Sequence, residues 1–200
     1  MTLTMVLDHL YLVTASVLFT ILAGVPLGVA AYLYPPVRRL ILWTTDVLQT
    51  VPALALLGII MVFAGAGKTT VIVGLVLYSL LPVVHNTYLG LSQVDGGIKE
   101  AALGMGMTKA YRLLRVELPL AFPVIFTGIR IATVTAIGVA VFSSFVGGGG
   151  LGSIIYRGIH IQNMSLILSG TATLMAMAVF FDYLMGYLEK QLYRRSHKTN

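Results

Sequence analysis

The chain has 200 residues, of which 58% are hydrophobic and 10% are charged, and its mean hydropathy is +0.92. Soluble domains carry roughly 25% charged residues, so this composition excludes an ordinary soluble globular domain. The absence of cysteine from the sequence excludes a disulfide framework and a thiolate metal site.

Five long stretches of the sequence contain no Asp, Glu, Lys or Arg, namely 9–37, 47–67, 69–94, 131–156 and 158–181. Each exceeds the roughly 20 residues that an α-helix needs to cross a bilayer core. We therefore predict an all-α integral membrane protein, with residues 1–200 forming one membrane domain. Its five transmembrane helices are predicted at about 10–34, 40–63, 70–90, 120–146 and 165–188.

The basic residues behind the net charge of +6 fall unevenly on the two sides of this predicted membrane domain. Ten lie on one side, namely Arg38, Arg39, Lys99, Lys109, Arg112, Arg115, Lys190, Arg194, Arg195 and Lys198. Two, Lys68 and Arg157, lie on the other side, and Arg130 lies within a span. Because cytoplasmic loops are rich in Lys and Arg, we predict an external N-terminus and a cytoplasmic C-terminus. This asymmetry explains the basic excess without a nucleic-acid partner.

The first two connections are short turns. In "YPPVRR" (34–39) two prolines end the first helix, because proline cannot continue the backbone hydrogen bonds. The next turn, 64–68, overlaps the stretch "GAGKTT" (65–70), which ends like a Walker A phosphate loop. The full pattern requires a glycine where this chain has Val62, and the flanking segments are predicted membrane spans. The stretch is therefore predicted to be an external turn that does not bind nucleotide.

Single glycines and prolines interrupt the predicted spans, namely Gly24, Pro26, Gly28, Pro52, Gly58, Gly74, Pro82, Pro123, Gly128 and Gly138. Small residues allow membrane helices to approach closely. Kinks and unwound turns instead line paths for solute. Both interpretations remain open for most of these residues, whereas Pro52 and Pro82 lie deep enough in their spans to predict kinks.

The connection 95–119 is predicted to be cytoplasmic and to contain two short helices. Asp95 is suited to cap the first helix, and Gly104 and Gly106 are suited to end it. Thr108 is suited to cap a second, amphipathic helix that we expect Pro119 to end. Such a helix could rest on lipid. The small residues of the first helix instead favour docking of a partner protein.

Arg130 and Asp182 fall within predicted spans, where charge is costly and usually has a function. We expect Arg130 to pair with Asp182 or to extend toward the cytoplasmic interface, and a role in a gate is the alternative. The sequence contains no H-E-x-x-H zinc pattern and no G-x-S-x-G nucleophile pattern. We therefore predict no catalytic residues, no metal site and no enzymatic activity in this chain.

The stretch "EAALGMGMTKAYRLLRVELP" (100–119) resembles the EAA loop of ABC importer permeases. That pattern is Glu-Ala-Ala, three residues, Gly, nine residues, Ile, any residue and Leu-Pro. It is matched by 100–102, Gly106 and 118–119, with Val116 in place of Ile. The stretches 48–58, 78–91 and 143–159 are similar to the osmoprotectant branch, which imports glycine betaine, carnitine and choline. One departure is His85, where such relatives often carry Arg.

The resemblance implies the five-helix core of type I (MetI-like) importers in a prokaryotic cytoplasmic membrane. It also implies a second permease subunit, identical or paralogous, and two cytosolic ATPases that bind ATP and Mg²⁺. The chain itself would hold no cofactor, and we expect the external solute-binding receptor to be a separate protein. The residues implied to contact the ATPase are Glu100, Ala101, Ala102, Gly104, Gly106 and Met107.

A quaternary ammonium solute would be attracted to aromatic faces through cation–π contacts. The candidate path residues are Tyr78, Asn86, Tyr88, Phe142 and Phe145. One alternative function is the same machinery with another small solute, such as methionine. A second is a self-contained channel or secondary carrier, which would work without ATP.

Overall fold

The computed structural model describes residues 3–197, with side chains described as far as Tyr193, and this part of the chain is helical without β-strands. Its helices are α1 (Leu3–Leu33), α2 (Pro35–Thr50), α3 (Ala53–Ala64), α4 (Lys68–Gln93), α5 (Gly96–Gly104), α6 (Lys109–Arg112), α7 (Leu118–Val139), α8 (Gly152–His160) and α9 (Met164–His197). A π-helical segment, Leu113–Glu117, joins α6 to α7, and a 3₁₀ helix, Ala140–Val146, follows α7. Lys198 and the side chains of Arg194 and Arg195, three of the predicted cytoplasmic basic residues, lie outside the described part.

Four helical stretches in the described residues are long and apolar enough to cross a membrane, namely Leu3–Leu33, Lys68–Ser92, Lys109–Val146 and Met164–Tyr193. They cover the predicted first, third, fourth and fifth spans. In each of them the backbone N–H and C=O groups pair within the helix, because the hydrocarbon core offers no water to bind them. The all-helical membrane fold predicted from hydropathy is therefore confirmed.

The predicted second span, 40–63, is not one straight helix, because α2 and α3 meet at an angle of 101°. The break lies at Val51, whose backbone is extended (φ −72°, ψ 127°), and the following Pro52. Proline lacks an N–H and forces the preceding residue out of the helical region. The predicted kink at Pro52 is confirmed. At Pro82, the other position where a kink was predicted, α4 continues as one helix.

The helices α1, α4 and α7 pack against one another and form the centre of the molecule. The bent pair α2–α3 packs on α4, and α9 packs on α7 and α8. One apolar cluster joins the ends of α1, α4 and α7 near Leu151, and a second lies near Leu113. A closely packed three-helix centre thus carries the connection between α4 and α7 at one end.

Glycines set how closely α4 approaches its neighbours. A Cβ atom on Gly28 of α1 would lie 2.5 Å from Cβ of Thr87. On Gly128 of α7 it would lie 2.5 Å from the backbone oxygen of Pro82 and 2.7 Å from Cβ of Asn86. Gly24 and Gly74 are similarly enclosed. At these glycines close packing is the correct interpretation, in keeping with the small residues of membrane helix interfaces.

We predict that Gly128→Ala destabilises the protein while Gly138→Ala in the same helix does not. The added methyl at position 128 would collide with the backbone of α4, and such overpacking costs about 1–3 kcal/mol. Gly138 has no atom within 4 Å of its would-be Cβ, so alanine there adds only helix propensity. Thermal unfolding in lipid nanodiscs checks this, and equal melting temperatures for the two variants would contradict the close approach.

Candidate functional site

The connection between α4 and α7 folds as two short helices joined by a glycine turn. The N–H of Ile98 donates to Oδ1 of Asp95 at 3.1 Å, and the N–H of Tyr111 donates to Oγ1 of Thr108 at 3.3 Å. Both predicted helix caps are therefore confirmed. The chain then reverses at Gly106, whose φ of +78° suits glycine because it has no Cβ to crowd the carbonyl.

The outward surface of this connection is small and largely apolar. The exposed positions on it are Glu100, Ala101, Leu103, Gly104, Met105 and Gly106. Met107 is half-buried, and Ala102 is only 1% exposed. Ala102 therefore faces the body of the protein and does not form part of the exposed surface, although the sequence predicted it there.

Pro119 does not end the second short helix, contrary to our expectation. The helical rod continues from Lys109 to Val146. Within it, the N–H of Leu118 donates to the carbonyl of Leu113, five residues earlier, as in a π-helix. Pro119 then lies in the first turn of α7, where its missing N–H is tolerated. The second half of the connection is thus continuous with the predicted fourth span.

A charge cluster links α7 to α9, within the predicted fourth span and at the C-terminal end of the predicted fifth span. Nε of Arg130 donates to Oδ1 of Asp182 at 2.7 Å, and its Nη1 donates to Oε2 of Glu189 at 2.9 Å. Thr127 donates its hydroxyl to the other oxygen of Glu189. The pairing of Arg130 with Asp182 is confirmed, whereas the role of Glu189 was missed. Its signal was spacing, because Asp182, Gly186 and Glu189 are four and three residues apart and share a helix face.

Gly186 provides the space for this cluster. A Cβ atom there would lie 3.0 Å from Nη1 and 3.1 Å from Cζ of Arg130, so the guanidinium lies directly against the backbone of α9. The planar guanidinium satisfies two carboxylates at once, which an ammonium group does less well. The cluster therefore holds α9 to α7 by geometry as well as by charge.

The five predicted path residues do not form one site. Phe142 and Phe145 are neighbours, with ring centroids 6.3 Å apart, and Phe145 also contacts Tyr156 edge to face at 4.8 Å. Tyr88 lies near the opposite end of α4, where the guanidinium of Arg38 covers its ring at 5.1 Å. The structure thus brings two of the five predicted path residues together. One face of the Tyr88 ring is already covered by Arg38 of the same chain.

The other two path residues, Tyr78 and Asn86, lie along α4 between these ends. The carbonyl of Tyr78 accepts from the amide of Gln49 at 3.3 Å, and the amide of Asn86 donates to the carbonyl of Pro82 at 2.8 Å. The sequence also missed that Nε2 of His85 lies 3.3 Å from Oδ1 of Asp46, although without hydrogen-bond alignment. Polar contacts therefore recur along the α2–α4 interface, and the path assignments stay a prediction.

Comparison with known proteins agrees with this architecture. The profile of the family described as "Binding-protein-dependent transport system inner membrane component" matches residues 17–194. The glycine betaine/carnitine/choline transport system permease protein OpuCD of Bacillus subtilis (strain 168) is 45% identical over 188 residues, covering 92% of this chain and 81% of that protein. The osmoprotectant import permease protein OsmY of Salmonella typhimurium is 41% identical over 189 residues, covering 92% and 79%.

A solved structure shares the fold. A chain of the MetNI methionine ABC transporter, in an inward-facing conformation, matches with a TM-score of 0.84 and 22% identity. The match covers 96% of this chain and 99% of that chain. At this level of identity the likeness shows the fold alone.

We predict that Arg130→Met lowers the melting temperature because it leaves Asp182 and Glu189 without their cation. The control combines Arg130→Met with Asp182→Asn and Glu189→Gln. Removing all the charges should recover much of the loss, because an unpaired charge in or beside a membrane span costs more than neutral side chains. A triple variant no more stable than the single variant would contradict the ion-pair role.

Proposed function

We propose that this chain, which belongs to the family of binding-protein-dependent transport system inner membrane components, is the permease subunit of an ATP-driven ABC importer for quaternary-amine osmoprotectants. Glycine betaine, carnitine and choline are the expected solutes. The observation that carries the proposal is the EAA-like segment 100–119, which presents a small exposed surface at one end of a multi-pass membrane fold. The names of relatives 45% and 41% identical support the solute class.

The protein is a multi-pass component of a prokaryotic cytoplasmic membrane. We infer five spans, with the bent pair α2–α3 crossing as the second, an external N-terminus and a cytoplasmic C-terminus. In this orientation α5 faces the cytoplasm, together with Lys99, Lys109, Arg112 and Arg115. The external turn at 65–68 then carries the pair between Lys68 and Asp8, whose Nζ and Oδ1 atoms are 2.6 Å apart.

The proposed complex contains two permease subunits, two cytosolic ATPases and a separate external receptor. The ATPases bind ATP and Mg²⁺, and they dock on the exposed surface of α5 and the Gly106 turn. Glu100, Leu103 and Met105 provide the protruding side chains of that surface, and Gly104 and Gly106 keep its backbone accessible. Closure of the ATPases moves α5 and, with it, the spans between inward-facing and outward-facing states.

Solute passes between the two permease subunits along aromatic and polar side chains. The pair Phe142–Phe145 with Tyr156 offers aromatic faces near the proposed external side. Tyr78 and Asn86 lie deeper in α4. A cation over an aromatic face gains about 0.5–2 kcal/mol, which suits a path that must release its solute.

Two substitutions test the docking surface. Gly106→Val forces a β-branched residue into a left-handed backbone, which costs about 1–2 kcal/mol, and adds bulk to the surface. Glu100→Lys reverses its charge. We expect both to weaken binding of the ATPase about tenfold or more in pull-down from nanodiscs, as loss of a central interface contact does.

Gly96→Ala is the matched control, because Gly96 has no atom within 4 Å of its would-be Cβ and no left-handed φ. All three variants should insert into the membrane and run as the native protein on gel filtration. Normal ATPase binding by both Gly106→Val and Glu100→Lys would remove the docking assignment.

The function itself is tested by reconstitution of the chain with its ATPase and receptor in proteoliposomes. Receptor loaded with glycine betaine, carnitine or choline should stimulate ATP hydrolysis and drive uptake of labelled solute. Receptor loaded with methionine should do neither. Uptake without ATP would instead indicate a channel or secondary carrier, and stimulation by methionine alone would assign another solute.

A further inference from the structure

A cluster of four side chains connects α5 to the membrane helices. We call it the Lys99 cluster, and it consists of Tyr32, Lys99, Arg112 and Glu117. These residues come from α1, α5, α6 and the π-helical segment. Because α5 itself packs mainly on α6 and the π-helical segment, the cluster supplies its contacts to α1 and α4.

Lys99 reaches two membrane helices from α5. Its Nζ donates to the carbonyl of Leu91 at 3.1 Å and lies 5.2 Å from the ring centroid of Tyr32. Leu91 is in the last turn of α4, where carbonyl groups lack partners within the helix. Lys99 therefore caps α4 and makes a cation–π contact with the end of α1 through a single ammonium group.

Glu117 fixes the other side of the cluster. Its side chain is 1% exposed, and its Oε1 accepts from Nε of Arg112 at 2.5 Å. The two residues are five apart, a spacing that the π-helical turn brings onto one face. Tyr32 lies close enough to the same carboxylate to interact with it electrostatically, while the buried Oε2 has no hydrogen-bond partner in the described part of the chain. Tyr32 is thus a neighbour of both Lys99 and Glu117.

The backbone on both sides of α5 is non-helical. Toward α4, the chain passes through Val94 and Asp95 in extended conformation, and toward α6 it passes through the left-handed Gly106. Loop residues at the ends of elements are where hinge movements are absorbed, so side-chain contacts are the direct link from α5 to α1 and α4.

We propose that the Lys99 cluster transmits the movement of α5 to α1 and α4, so that its loss uncouples ATP hydrolysis from solute transport without preventing assembly. This inference rests on the proposed function. Lys99 is half-buried and directed at the spans, whereas the proposed docking surface is formed by Glu100 and the residues that follow it. Lys99 is therefore a positioning residue.

The test compares Lys99→Met with Lys99→Arg in the reconstituted complex. We expect Lys99→Met to bind the ATPase normally and to hydrolyse ATP. The amount of solute transported per ATP should fall about fivefold or more, a typical size for lost coupling between sites. Lys99→Arg retains both the donor and the stacking cation, so it should restore the native ratio. Lys109→Met removes an exposed lysine of the same connection and should leave the ratio unchanged.

A second pair of variants tests Arg112 and Glu117 as a unit. Glu117→Gln alone leaves the cation of Arg112 without its partner and should lower the transport-to-hydrolysis ratio. Adding Arg112→Gln gives two neutral side chains and should recover part of the ratio, because residues in contact are not additive. A purely structural role would lower the melting temperature of these variants while leaving the ratio native.

The outcomes separate this inference from the proposed function. If the native complex shows no receptor-stimulated hydrolysis, the proposed function fails, whatever the variants do. If the native complex transports and Lys99→Met transports equally well per ATP, the inference is wrong. Loss of ATPase binding in Lys99→Met would also overturn it, because Lys99 would then belong to the docking surface.

Discussion

A charged side chain loses its hydration when it enters the hydrocarbon core of a bilayer, and this cost governs where the ionisable residues of the chain lie. Two carboxylates on α9 offset the cost of placing Arg130 in α7. Glu117, 1% exposed, is held by Arg112 at 2.5 Å. Because Arg130 requires partners on a neighbouring helix, the pairs that satisfy its charge also fix how α7 and α9 are arranged. The pair Arg112–Glu117 lies within one helical rod and stabilises the π-helical turn before α7.

Close packing at the centre turns these local contacts into a mechanical unit. The glycines of α1 and α7 bring backbone against backbone at α4, and packed interfaces of this kind shift as rigid bodies. Lys109–Val146 forms one helical rod, so a movement at its first turn is carried into the predicted fourth span. α5 contacts this rod on one side and, through Lys99, the ends of α1 and α4 on the other.

The sequence predicted the features that local chemistry decides. Long uncharged stretches indicated four of the helices, because a membrane span must be continuous and apolar, and Asp95 and Thr108 were recognised as caps from residue type and position. Features decided by packing were missed. The burial of Ala102 and the pairing of Arg130 with Glu189, 59 residues away, depend on tertiary contacts. The prediction that Pro119 ends a helix was wrong, because a π-helical turn precedes it and its missing N–H leaves the helix intact.

The central claim is that energy enters this permease through the exposed surface of α5. Because the chain has no cysteine, a single spin label can be placed at Leu103, which is 50% exposed on α5, or at Ile161, which is 54% exposed in the turn before α9. Adding the ATPase should lower the accessibility of the label at 103 to a water-soluble relaxation agent and leave the label at 161 unchanged. Unchanged accessibility at 103 under conditions where the ATPase binds would contradict the account.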